Sequence, residues 1–208
     1  MNVPAAKANR NRKDFYKGYI NRIIQREQAP RITSIASGPA IEIIEVLDEN
    51  PAAEGSIITC LDFESRALDY VKEQIHKIES KHNKTYKISY INANIMNMLR
   101  HDNLEGLIEK QDLIYSSGLI DYFSDKIASK MIEELFDRLK QGGQLIVGNV
   151  SAANKHRAYT EILGEWFINH RTEEDMLELT KRIKGKNNIE IKYEAETRMN
   201  IFMIISKL

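Results

Sequence analysis

The sequence is poor in the residues that staple, stiffen or insert a chain. Among 208 residues there is one cysteine, Cys60. An internal disulfide is excluded, and with it the small secreted folds framed by disulfides. No Cys/His cluster has zinc spacing, so no metal is expected. Four prolines and ten glycines exclude collagen-like and linker-like classes. No apolar run approaches the roughly 20 residues needed to cross a bilayer, and no membrane span is expected. Residues 1–15 lack the apolar core of a secretory signal. A net charge is missing too: 30 Lys and Arg face 30 Asp and Glu. That disfavours a nucleic-acid partner and an acidic disordered chain. A reduced, cytoplasmic setting is the expectation. What is present is ordinary for a globular protein, with 42% hydrophobic and 29% charged residues. The length suits one domain of about 100–200 residues, large enough to bury a core unaided.

Charge is balanced overall but not locally. Residues 1–31 hold eight basic side chains (Lys7, Arg10, Arg12, Lys13, Lys17, Arg22, Arg26 and Arg31) and two acidic ones, Asp14 and Glu27. Phe15, Tyr16, Tyr19, Ile20, Ile23 and Ile24 recur at helical spacing. The segment reads as an amphipathic helix over 1–29, a lid or packing extension whose basic face is solvated. Pro30 ends it. Its apolar stripe is compatible with a homodimer contact, and the chain with a longer parent protein.

From residue 30 onward, strand and helix signals alternate. Strands are expected at 31–36, 56–61, 86–91, 112–115 and 144–147. Helices are marked by Ile41, Ile44 and Leu47, then by Leu68, Val71, Ile75 and Ile78. A third carries Ile127, Met131, Leu135 and Leu139 behind a Ser124 cap and is stopped by Gly142-Gly143. Pro39 suits the first turn of the helix after strand one. Thr172 to Asp175 resembles a capping box. Two strand-like runs, 189–193 and 200–206, close the chain as an antiparallel hairpin. Alternation of this kind predicts an α/β sheet with helices on both faces. Residues 149–171 form a polar and aromatic insert after strand five.

In such sheets, ligands bind beyond the carboxyl ends of the strands where strand order reverses. Strand one is followed there by small residues, Ala36, Ser37, Gly38 and Ala40, that let backbone approach a ligand. Asp62 ends strand two, 24 residues after Gly38, an offset suited to the two hydroxyls of a ribose. Phe63 can cover an adenine face and Asn94 can meet its edge. A dinucleotide wants the fuller G-x-G-x-x-G loop. A single glycine followed by Pro39 suits a nucleoside without phosphates, such as S-adenosylmethionine.

These residues resemble the class I S-adenosylmethionine-dependent methyltransferases, over nearly all of 30–208. Against that family's first motif, D-x-G-x-G-x-G, stand Ser34, Ala36, Gly38 and Ala40. Only the middle glycine is kept, and the leading acid that holds the methionine amino group is replaced. Asp62 matches the acidic ribose ligand, Asn94-Ile95 the adenine-side pair, Asp112 to Tyr122 the fourth motif, and Gly142 to Leu145 the entrance to strand five. The resemblance implies a Rossmann-like sheet of seven strands, order 3-2-1-4-5-7-6, with strand seven antiparallel. The strings SIASGPAIEI, DLIYSSGLIDYFSD and GNVSAANKHRAYTEILGEWFINHRTEEDM look like the methyltransferase domain of bacterial enzymes that make hydroxy-fatty-acid methyl ester signals.

The resemblance implies S-adenosylmethionine as cofactor, held by Ala36, Ser37, Gly38, Asp62, Phe63, Asn94, Ser116 and Ser117. It implies a small-molecule acceptor, a fatty-acid-like carboxylate in its narrower form. Tyr122, Arg157 and Tyr159 are the catalytic-side candidates, with Arg157 orienting an acidic acceptor through its fork. Asn149, Asn154 and Trp166 lie nearby in sequence. A carboxylate acceptor needs no base; an amine or phenol needs one, and Asp121, His156 and His170 are available. A non-catalytic nucleoside-binding module and an RNA methyltransferase with a basic docking helix are the alternatives, and the single-glycine loop disfavours a nicotinamide enzyme.

Overall fold

The computed structural model describes residues 4–101, 104–155, 157, 161, 162 and 165–208. Helix α1 (Pro4–Arg26) leads into β1 (Arg31–Ile35), α2 (Ile41–Glu49), β2 (Ile57–Asp62), α3 (Ser65–His82) and β3 (Lys87–Asn92). Two short helices, α4 (Ile95–His101) and α5 (Leu104–Leu107), precede β4 (Gln111–Ser116). Then come α6 (Asp125–Asp137), β5 (Leu139–Val150), α7 (Glu173–Glu178), β6 (Asn187–Tyr193) and β7 (Asn200–Lys207).

The seven strands form one sheet in the order β3-β2-β1-β4-β5-β7-β6. The pairs from β3 to β5 are parallel, and β7 runs antiparallel to both neighbours. This is the order and polarity that the resemblance implied. Side chains alternate strictly across it, as the strand period of two requires. Ile32, Ile58, Cys60, Leu113, Tyr115, Ile146, Phe202 and Ile204 pack on one face with α1, α2 and α3. Ile35, Leu61, Ile114, Leu145, Val147, Ile201 and Met203 pack on the other with α4 and α6. Chain order reverses between β1 and β4, which opens a crevice above their carboxyl ends.

Helix α1 lies against this core. Tyr16, Tyr19, Ile20, Ile23 and Ile24 are buried, and Phe15 stacks on Phe202 with ring centroids 3.8 Å apart. At about 1.5–3 kcal/mol per buried large apolar side chain, that face is integral to the fold.

Several local expectations are corrected. The fully buried α2 stripe is Ile43, Val46 and Leu47, with Ile44 partly buried against the same core; Ala40 takes a left-handed conformation and the helix starts only at Ile41. Pro39 therefore lies before the helix. Gly142-Gly143 does not stop α6, which already ends at Asp137. The pair sits inside β5, where the register with β4 shifts between Gln111 and Leu113. A Cβ on Gly143 would come within 2.8 Å of the Gln111 carbonyl, so the bulge demands glycine. Leu139 is consequently a strand residue. Ser124 precedes α6 without a side-chain cap bond, whereas Thr172 and Asp175 complete the capping box of α7.

Candidate functional site

The β1–α2 connection is built from an alternation of backbone hands. Ala36, Gly38 and Ala40 have φ of 53°, 52° and 43°. Their positions are those of the three glycines in the family motif. An alanine in the left-handed region costs roughly 1–2 kcal/mol, so two of the three are held there against local preference. The loop is fixed from β2. The Ser37 N–H donates to the Leu61 carbonyl (3.0 Å), and the Gly38 N–H donates to Asp62 Oδ2 (2.7 Å). Asp62 Oδ1 accepts the Glu64 N–H at 2.8 Å. The carboxylate is 6% exposed. It ties the loop to the tip of β2 and keeps two of its roughly four lone-pair sites free for a ligand.

A cavity of about 850 Å³ opens over this loop. Its floor is 36–41; one wall is Ser117, Gly118, Leu119 and Asp121 after β4, with Tyr122 and Trp166 at the rim. Phe63 enters from the end of β2 with 71% of its surface exposed, an unusual state for a phenyl ring. The opposite wall comes from α1: Asn9, Arg10, Arg12 and Lys13. The Trp166 indole N–H donates to the Tyr122 hydroxyl at 2.8 Å. Ser37 Oγ is buried without a hydrogen-bond partner among the described residues.

The loop after β4 is held by a residue that sequence reading passed over. Arg171 is 2% exposed. Its guanidinium donates to the carbonyls of Ile120 and Phe123 (2.8 and 2.7 Å), to Asn149 Oδ1 (2.6 Å) and to Asp125 Oδ1. Asn149 in turn donates to the carbonyls of Val150 and Asn169. Asn149 therefore braces the site. Asp121 is also clamped: Oδ1 accepts the Val150 N–H at 2.7 Å, while the residue lines the cavity. Burial raises its carboxyl to about 6, opposed by the Val150 hydrogen bond and the charges of Arg12 and Arg171.

The structure thus brings Ala36, Ser37, Gly38, Phe63, Ser117 and Tyr122 to one cavity, with Asp62 bonded to its loop. Ser116 sits behind, its carbonyl accepting the Tyr16 hydroxyl. Asn94 lies beyond β3 and uses its side-chain oxygen on the Met96 N–H. Arg157 is exposed, pairs with Glu161 at 2.7 Å and is not in the cavity wall. His170 is outside that wall as well, its Nδ1 beside the Ile168 carbonyl. Tyr159 and His156 fall outside the described residues.

Among the cavity residues, Glu42 has no local sequence signal, and Arg12 stands in the sequence only as one of eight basic side chains. The basic face of α1 is not uniformly solvated. Lys7 pairs with Glu196, Lys13 and Lys17 with Glu45, and Arg26 with Glu27. Arg12 instead turns inward, and a Cβ on Gly118 would lie 3.0 Å from its Nη1 and 3.2 Å from Asp121 Oδ2. Only its placement three residues ahead of Phe15, which stacks on Phe202, separates it from its neighbours; nothing local marks it.

No protein-family model matches the sequence, and no curated protein matches it. Solved structures match its shape. A possible exported protein from Bordetella parapertussis aligns over 99% of this chain and 70% of its own, with a TM-score of 0.76 and 16% identity. Magnesium protoporphyrin IX methyltransferase from Synechocystis, solved with S-adenosylhomocysteine (SAH) bound, aligns over 100% and 89%, with a TM-score of 0.71 and 10% identity. An S-adenosylmethionine-dependent methyltransferase from Methanosarcina mazei aligns over 88% and 94%, with a TM-score of 0.62 and 18% identity. The likeness is one of fold.

Proposed function

We propose that the chain is a class I S-adenosylmethionine-dependent methyltransferase acting on a small molecule. The observation that carries this reading is the cavity at the strand-order reversal, with its thrice left-handed loop tied to the acid at the tip of β2. The residues fit the cofactor. Asp62 has acceptor capacity left for ribose hydroxyls, Phe63 offers an uncommitted ring, and Ser37 Oγ is a buried polar atom lacking a partner among the described residues. Ala36, Ser37, Gly38 and Ser117 would hold the methionine side, and Asp62, Phe63 and Asn94 the adenosine, with Ser116 supporting from behind. The fold shared with a methyltransferase that binds SAH supports the assignment.

When bound, the cofactor supplies a methyl group on a positively charged sulfur. The chain's part is to position an acceptor, exclude water and handle a proton where there is one. Tyr122 and Trp166 shape the acceptor side, and Arg10 lines the α1 wall. A cationic wall opposite aromatic rings favours an acceptor with an anionic head and an apolar body, which is the fatty-acid-like carboxylate of the narrower resemblance. A carboxylate needs no base. For an acceptor bearing an O–H or N–H, Asp121 is the base in place, since its carboxyl loses its proton near pH 6. Arg157 reaches an acceptor only after leaving Glu161, and Tyr159 completes the acceptor-side set. A reducing cytoplasm belongs to the same reading, with Cys60 buried and its thiol pushed up to about 12.

Isothermal calorimetry tests the proposal. S-adenosylmethionine and SAH should bind with dissociation constants of order 1 μM to 1 mM, the range of enzyme ligands. Asp62→Ala should weaken both at least tenfold. No heat with either compound overturns the reading.

A further inference from the structure

We propose that Glu42 and Arg12 together seat the charged amino-acid end of the cofactor, so that the N-terminal helix supplies part of the cofactor site. The inference rests on the methyltransferase reading and adds residues to it.

The cavity presents two opposite charges that close no ion pair with each other among the described residues. Glu42 projects from the first turn of α2 into the wall beside the 36–40 loop. Its Oε1 accepts the Tyr115 hydroxyl at 2.7 Å, a neutral partner. Among the described residues no cation forms an ion pair with it, and burial holds its carboxyl above the ordinary range. Arg12 faces it from α1. The two interact electrostatically, yet no ion pair or hydrogen bond of Arg12 occurs among the described residues, while Lys13, one residue on, is paired. A desolvated carboxylate and a guanidinium that close no ion pair among the described residues, the guanidinium coupled electrostatically to Glu42 and Asp121 alike, form the complement of a zwitterion on two walls of one cavity. S-adenosylmethionine ends in one, an α-ammonium beside an α-carboxylate. Glu42 takes the ammonium and Arg12 the carboxylate.

The position left by the motif's missing acid fits this account. Ser34 stands there, beside the Tyr115 hydroxyl that donates to Glu42. Negative charge is thus supplied from the next helix turn rather than the strand end, with Tyr115 fixing the carboxylate. The other acid in the wall, Asp121, already spends Oδ1 on the Val150 N–H and stands by Gly118.

The test compares SAH with 5′-methylthioadenosine, which keeps the nucleoside and thioether but has no amino-acid end. Both are titrated calorimetrically into the parent chain, Glu42→Gln, Arg12→Gln and Asp121→Asn, with each variant's fold checked by thermal unfolding. Glu42→Gln still accepts the Tyr115 hydroxyl, and Arg12→Gln removes no hydrogen bond or ion pair found among the described residues. Each should weaken SAH at least tenfold and leave methylthioadenosine within about twofold. Unchanged SAH affinity in both variants overturns the clamp while the cofactor reading stands. Equal loss for both ligands overturns it as well, because the residues then merely shape the cavity. Loss in Asp121→Asn alone moves the ammonium to Asp121 and removes Glu42. Should one variant fail to fold, the other decides. A parent chain that binds neither ligand ends the cofactor reading itself.

Discussion

At the scale of single residues, the site is made of groups held in states they would not choose alone. Ala36 and Ala40 are left-handed, Phe63 is exposed, and Asp121 is buried with one carboxylate oxygen in the cavity wall. For Asp121 this has a measurable sign. Its carboxyl rises from 3.8 to about 6 in the fold, so the folded chain keeps a proton that the unfolded chain has lost. Its contribution to stability is therefore greatest below pH 3.8 and falls as pH rises to about 6. A shift of roughly two units corresponds to about 3 kcal/mol at most. Urea denaturation of Asp121→Asn should show a stability gain over the parent that grows by about 1–3 kcal/mol across that window and is flat above it. A difference independent of pH would contradict the buried state of this acid. Asp121, Asp62 and the loop are legible in the sequence, because short-range chemistry marks them: small residues after a strand, an acid at a strand end. Arg12 and Glu42 carry no such mark. Each is one charged residue among several on a helix, and only the docking of α1 beside α2 gives them a common cavity.

At the scale of elements, the site depends on the segment between β4 and α6 being stitched to the end of β5. Arg171 does the stitching with hydrogen bonds to two backbone carbonyls and two side chains. Its own N–H donates to the Val150 carbonyl, and a bridge joins Ser151 to Arg171. Replacing it with methionine keeps much of the volume and strands the Ile120, Phe123 and Asn149 acceptors in the interior, while the exposed Asp125 returns to solvent. The loss should be about 3–5 kcal/mol, since each buried acceptor left without a donor costs about 1–3 kcal/mol, read as a lower urea midpoint. A loss within 0.5 kcal/mol, the scale of ordinary surface changes, would show that the loop is held by other means. The elements themselves were largely legible, since apolar periods of two and of three to four residues dictate strands and helices. The failures came where tertiary contacts overrode local signals. Gly142-Gly143 resembles a helix stop, but it is the bulge that lets β5 run past Gln111. Pro39 resembles a helix start, but the left-handed Ala40 delays the helix.

At the scale of the whole molecule, the sheet order puts three sources of chemistry around one crevice: the loop after β1, the acid ending β2 and the loop after β4. The resemblance carried that order in advance, and the alternating burial on both faces explains why the sheet needs helices on each side. What it did not carry was the role of α1, whose apolar face belongs to the core and whose cationic side walls the crevice. The central claim is that this crevice receives an adenosyl thioether. A crystal structure of the chain grown with SAH tests it most directly. The account predicts the ribose on Asp62, the adenine against Phe63 and the amino-acid end between Glu42 and Arg12. Density for the compound at another place, or a crevice left without it at saturating concentration, would contradict the account.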